Sequence, residues 1–165
     1  MVMGALWVVS ALPALAQSDG ALCPQPQGVP VLHLRPADQV ARACDLQGLM
    51  ALPAKELATS LPPELGLPGR HRWQGVPLRL LAERLGGGPA SAVQLTALND
   101  YTVTIPWSDL LQYDPILAYQ RDGQPMSVRD KGPLILIYPF DTHRGLRTQL
   151  YRNRTIWQVN ALTLK

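Results

Sequence analysis

Val93-Gln-Leu-Thr-Ala-Leu-Asn-Asp-Tyr-Thr-Val-Thr-Ile105 is the stretch on which the fold turns. Its two halves, Val93 to Leu98 and Tyr101 to Ile105, alternate apolar and polar residues with period two, as half-buried strands do. Asn99-Asp100 between them is a two-residue link of turn-forming type, so the stretch predicts a β-hairpin. Outward in the C-terminal direction, Ser108 can cap one turn of helix through Leu111. Ile116 to Arg121 reads as a strand turned by Asp122-Gly123. Leu134 to Tyr138 is a continuous apolar run, the pattern of a strand covered on both faces. Thr155 to Leu164 makes a last strand.

In the other direction Pro77 suits the first position of a helix. Leu78, Leu81, Ala82 and Leu85 follow on one face, and Gly86-Gly87-Gly88 stops it. That triplet lacks the Lys-Ser/Thr of a phosphate loop. Residues 62–72 carry three prolines and two glycines without periodicity and read as a loop. Lys55 to Leu61 is a strand, Asp45 an N-cap for a short helix stopped by Pro53, and Val29 to Arg35 a first strand. Strands dominate, with short helices at 45–52 and 77–85 and no internal repeat. The fold class is α+β, strand-dominated.

The chain of 165 residues fits one domain, taken as 29–165, behind an N-terminal arm at 17–28. Hydrophobic residues at 47% suffice for a core, and charged residues at 16% exclude a polyelectrolyte chain. Sixteen prolines and 13 glycines exclude a helical bundle. The net charge of +3 is spread too thinly for a nucleic-acid surface. Residues 1–16 form an apolar run ending in Ala14-Leu15-Ala16, the small-residue spacing of a signal peptide, although no Lys or Arg precedes it. The alternatives are export, to the periplasm or the medium, and an ordinary buried helix; the first is the expectation. No membrane span is expected in the mature chain. Cys23 and Cys44 then form either a disulfide, which export favours, or two unpaired thiols. Their spacing fits no zinc pattern, the three histidines (His33, His71, His143) are scattered, and Ser60 and Ser108 have no nucleophile elbow.

From Trp73 onward five landmarks follow in order. They are Trp-Gln-Gly-Val-Pro-Leu (73–78), Asn-Asp-Tyr (99–101) before Ile105-Pro106, Ile-Leu-Ala-Tyr-Gln-Arg-Asp-Gly-Gln-Pro-Met (116–126), Arg-Asp-Lys-Gly-Pro-Leu (129–134), and Ile156-Trp157. This order resembles the oxidoreductase molybdopterin-binding domain of the sulfite oxidase family over roughly residues 29–165. There the motifs read W-x-G-v-x-L, D-G-Y-x-x-x-x-P, LA-y-x-x-n-G-x-P-L, D-H-G-x-P-x-R and a late K-W. The resemblance implies a strand-rich fold, a molybdopterin cofactor and redox chemistry.

Four departures bear on that chemistry. Family members that catalyse place a molybdenum-binding cysteine ahead of the W-x-G element, and residues 55–72 contain none. The family's pocket histidine is Lys131 here, the arginine of P-x-R is Ile135, and the lysine of K-W is Ile156. Isoleucine cannot replace a charge-assisted hydrogen bond to a pterin phosphate. No catalytic or metal-binding residue is therefore assigned, and no cofactor is expected, molybdopterin being the one the resemblance allows. The expected function is an exported, non-catalytic binding or sensing domain for an anionic small molecule or a periplasmic partner protein. The alternative is a molybdopterin-dependent oxidoreductase with an altered metal site.

The candidate pocket residues are Asp100, Tyr101, Arg129, Lys131, Arg152 and Arg154. Asp100 and Tyr101 are equally a turn aspartate and a strand tyrosine. Arg129 and Lys131 are either ligand-facing or part of a solvated turn. The arginines at 144, 147, 152 and 154 form either a ligand-binding cluster or a solvated surface.

Overall fold

The computed structural model describes residues 22, 23, 26–36 and 40–165, so the expected signal peptide at 1–16 lies outside the described residues. Among the described residues ten strands form two five-stranded sheets. The first sheet contains β1 (Pro30–Arg35), β2 (Arg42–Asp45), β5 (Ala92–Ala97), β6 (Thr102–Pro106) and β10 (Val159–Leu164), in the order β2-β1-β10-β5-β6. The β1–β10 pair is parallel and the other pairs antiparallel. Its register aligns Leu34 with Leu162, Leu162 with Leu95, and Leu95 with Val103. One buried apolar row thus crosses four strands, and the alternation along each strand fixes that register.

The second sheet runs β3 (Lys55–Ser60), β4 (Arg70–Pro77), β7 (Ile116–Arg121), β8 (Gln124–Pro125), with β9 (Ile135–Ile137) also paired to β7. The apolar first four residues of β7 and all of β9 are buried, as their unbroken hydrophobic runs require. At Gly75 the backbones of β4 and β7 come so close that an added Cβ would overlap the Leu117 carbonyl. The glycine of the Trp-x-Gly element is therefore a packing requirement. One cluster of buried residues draws on both sheets and on the helices α2 (Leu78–Arg84) and α3 (Trp107–Tyr113).

Several boundaries are corrected. The loop expected through Arg72 ends earlier, because β4 begins at Arg70. Its outward residues are polar and only Trp73 and Val76 are large and buried, so its alternation is weak. Strand β2 has no alternation to read. Pro106 rather than Ser108 caps α3, which runs to Tyr113. The last strand begins at Val159 because Gln158 adopts φ 54° and breaks the extended chain. Helix α4 (Gln149–Arg154), absent from the expectation, buries none of its residues and so carries no apolar stripe. One expectation near the N-terminus fares better. Asp45 caps α1 (Leu46–Met50), its side chain accepting the Gly48 N–H.

The expected loose arm is held at its described residues. Leu22 is buried, Cys23 is disulfide-bonded to Cys44, and the Gln27 and Gly28 N–H groups both donate to Asp45 Oδ2 at 2.8 Å. With a third donor at Gly48, three backbone N–H groups hold the Asp45 carboxyl below its ordinary range, that of Gly48 contributing most. Among the described residues no helix is long and apolar enough to cross a membrane.

Candidate functional site

The sheets meet at a seam. Beyond β9, Leu136 N–H donates to the Ile156 carbonyl, Val159 N–H to that of Leu134, and Gln158 N–H to that of Lys131. These bonds stitch the chain entering β10 onto the edge of the second sheet. A cavity of about 410 Å³ opens at this seam. One wall is the β5–β6 turn with Ala97, Asn99 and Tyr101, another is α4 with Gln149, Arg152 and Asn153, and Thr155 to Trp157 form the floor. Glu64 and Leu65, from the 3₁₀ turn Pro63–Leu65 that follows β3, close the remaining side.

Three non-glycine residues beside lining residues or in contact with them have left-handed backbone: Asp100 at φ 64°, next to Asn99 and Tyr101, Lys131 at 69°, against the Trp157 ring, and Gln158 at 54°, next to Trp157. They are held there by hydrogen bonds. Asp100 N–H donates to the Ala97 carbonyl, Leu98 N–H to that of Gln158, and Gln158 Nε2 to that of Val128. Such positions cost energy and persist where surrounding contacts determine them. The Tyr101 hydroxyl donates to the Asn153 carbonyl at 3.3 Å, tying the hairpin turn to α4. Lys131 Nζ lies 4.0 Å from the ring centroid of Trp157, a cation–π contact at the edge of the cavity.

The arginines divide. Arg152 donates through Nε and Nη2 to Gln149 Oε1 at 3.3 and 3.0 Å, one helical turn away, and has no carboxylate partner among the described residues. Arg154 points elsewhere. Its Nη1 donates to the buried Asp109 Oδ2 at 2.7 Å, and the Tyr138 hydroxyl donates to the same oxygen at 3.0 Å. Tyr113, Tyr138 and Tyr151 pack edge-on around this group, with centroids 5.3 to 6.2 Å apart. Burial, then the adjacent Asp109 charge, pushes the Tyr138 hydroxyl far up. Burial, then its bond to Tyr113, pushes Tyr151 up to about 12.

A second cavity of about 370 Å³ adjoins the first and shares Glu64 and Arg152 with it. It takes in Ser60, at the end of β3, and Asp141. Ser60 N–H donates to Asp141 Oδ2 at 2.9 Å, and Asp141 N–H to Thr59 Oγ1 at 3.1 Å. Arg147 lines this cavity rather than the first.

Of the candidate residues, Tyr101 and Arg152 line the cavity, Asp100 lies in the turn between Asn99 and Tyr101, and Lys131 contacts the Trp157 ring without itself lining the cavity. Arg129 is exposed on the 3₁₀ turn Val128–Asp130 and lines no wall of this cavity. Arg154 is committed to Asp109. Sequence reasoning missed Gln149 and Asn153 because α4 has no apolar face, and missed Glu64 and Leu65 because the proline-rich loop carries no period.

The site is thus a ligand-sized cleft at the seam of a two-sheet α+β domain. The family model of the oxidoreductase molybdopterin binding domain matches residues 22–142, and the chain belongs to that family. The sulfane dehydrogenase SoxCD from Paracoccus pantotrophus has a similar structure, with TM-score 0.59 and 15% sequence identity over 81% of this chain and 37% of that chain. At that identity the likeness concerns the fold, and this chain spans little more than a third of the SoxCD chain. No curated protein matches the sequence. Helix α4 and the Thr155–Trp157 floor lie beyond the matched residues.

The side chains present do not fit a molybdenum centre ligated by a protein thiolate. The two cysteines are bonded to each other. The positions where the family resemblance expects cationic phosphate anchors are Ile135 and Ile156, both buried in the core. Among the described residues no group of three or more His, Cys, Asp or Glu is placed to hold a metal ion.

Proposed function

We propose that this chain is an exported, non-catalytic binding or sensing domain that uses the molybdopterin-binding fold to take a small molecule through an anionic group. The observation that carries the reading is Arg152. It stands on the wall of a cavity of about 410 Å³ with only a neutral partner, while the other cationic candidates are engaged or turned away. A guanidinium has five N–H donors, so several remain for a planar carboxylate or similar oxyanion. The volume lies within the range of small-molecule pockets. The disulfide from Cys23 to Cys44 and the apolar segment 1–16 support export.

The test is molybdenum content and pterin fluorescence of the protein purified from its native cell envelope. Both are expected to be far below stoichiometric in cells whose other molybdoenzymes are loaded. Near-stoichiometric metal and pterin would overturn the non-catalytic reading in favour of a molybdopterin-dependent oxidoreductase.

A further inference from the structure

The cavity is not a simple anion trap. Two charged side chains line it, Arg152 and Glu64, of opposite sign. Glu64 has no hydrogen bond or ion pair among the described residues, just as Arg152 has no carboxylate partner. The adjoining cavity shares this pair and adds Arg147 and Asp141, the latter already accepting from Ser60 N–H and paired with Arg70. A multiply charged inorganic anion drawn to Arg152 would also face the Glu64 carboxylate, and like charges at short range are costly. A molecule carrying a carboxylate and an ammonium close together satisfies both side chains.

The rest of the wall says what lies beyond those charges. Leu65 and Ile156 are buried aliphatic residues, Ala97 adds a methyl, and Trp157 offers an aromatic ring that Lys131 Nζ contacts at 4.0 Å from its centroid. An apolar group placed there leaves water for a lining that is largely hydrocarbon.

From this geometry we infer that the cavity binds a free α-amino acid with an apolar side chain. The α-carboxylate meets Arg152, the α-ammonium meets Glu64, and the side chain rests on Leu65, Ile156 and Trp157. The inference rests on the binding-domain reading and narrows its ligand from an anion to a zwitterion.

Calorimetric titration of the full chain with L-phenylalanine, L-leucine, 3-phenylpropionate, phenethylamine and inorganic phosphate tests it. Both amino acids are expected to bind, and the two phenylalanine analogues lacking one charge at least tenfold more weakly, since each leaves a charged wall residue unpaired. Arg152→Gln is expected to lower phenylalanine affinity tenfold or more. Glu64→Gln is expected to bring phenylalanine and 3-phenylpropionate to within about threefold of each other. Both residues are on the surface, so melting curves confirm that the variants remain folded. Binding of 3-phenylpropionate or phosphate as tight as that of phenylalanine overturns the zwitterion and leaves the anion reading standing. Phenylalanine binding indifferent to both substitutions places the amino acid elsewhere and overturns the inference. No binding by any probe overturns both readings.

Discussion

Arg152 and Arg154 are two residues apart on the same six-residue helix and have opposite fates. Arg154 turns into the protein, where Asp109 and the Tyr113–Tyr138–Tyr151 group enclose it. Arg152 turns along the cavity wall and meets only a neutral glutamine. What separates them is the partner waiting on the other side. Asp109, on α3, is buried and needs a cation, whereas among the described residues no carboxylate lies within ion-pair distance of Arg152. A basic cluster read from sequence is thus two things in three dimensions: one arginine paired with a buried carboxylate and one with a neutral partner on its own helix.

The sharpest way to break that contrast is to remove the committed arginine. Arg154→Met leaves Asp109 buried with a hydroxyl as its one strong donor. Losing one partner of a buried pair costs about 3–5 kcal/mol, because the remaining charge is uncompensated. The Tm is expected to fall by roughly 10–15 °C. A fall below about 1 kcal/mol in urea titration would show that the pair is solvated and that the two arginines are alike.

The N-terminal end supplies the next step down. Cys23 and Cys44 are 21 positions apart, and closing a loop of that length stabilises the fold by about 3 kcal/mol through the unfolded chain. The double substitution Cys23→Ser, Cys44→Ser is expected to lower stability by that amount under oxidising conditions. Adding reductant to the double variant should change nothing further. Because this lock is distant from α4 in sequence and shares no partner with it, its cost should add to that of Arg154→Met.

Tyr138→Phe takes away the second donor to Asp109 and keeps the ring, for an expected loss of about 2 kcal/mol at neutral pH. The tyrosine group also sets an alkaline limit. Tyr151 and Tyr138 have folded pKa values above the ordinary 10, so their neutral forms are favoured by folding. That stability is fully present below pH 10 and is lost as pH rises from 10 through about 12 for Tyr151. The urea midpoint should therefore drop as pH rises from 10 towards about 12, and Tyr151→Phe should flatten the drop. An unchanged slope in the variant would assign the alkaline loss to other groups.

How much of this could be read beforehand follows from where periodicity exists. The hairpin of β5 and β6, the apolar runs of β7 and β9 and the α2 face each bury a regular set of side chains, and each is plain in the sequence. The order of the Trp73, Tyr101, Ile116 and Trp157 landmarks was enough to place the family, and the family model agrees over residues 22–142. The cavity was half legible. Tyr101 and Arg152 could be named, but α4 has no fully buried residue and the turn carrying Glu64 has no period, so their convergence depends on long-range bonds at the seam. Nor does sequence tell which arginine faces Asp109, since i and i+2 on a helix differ by about 200° around the axis and the tertiary partner decides.

The smallest expected effect is the most telling for the comparison. Arg152→Gln removes a positive charge that has no carboxylate partner and a hydrogen bond to an exposed glutamine on the same helix. Substitutions of that kind usually change stability by less than about 0.5 kcal/mol in either direction. The variant should therefore melt within about 2 °C of the parent. If Arg152 were a structural residue like Arg154, its loss would show in the melting curve. If it is held for a ligand, the melting curve stays put in the absence of ligand, and the parent alone gains thermal stability when a saturating ligand is added. That gain follows from mass action on the native state, so it disappears with the affinity and not with the fold.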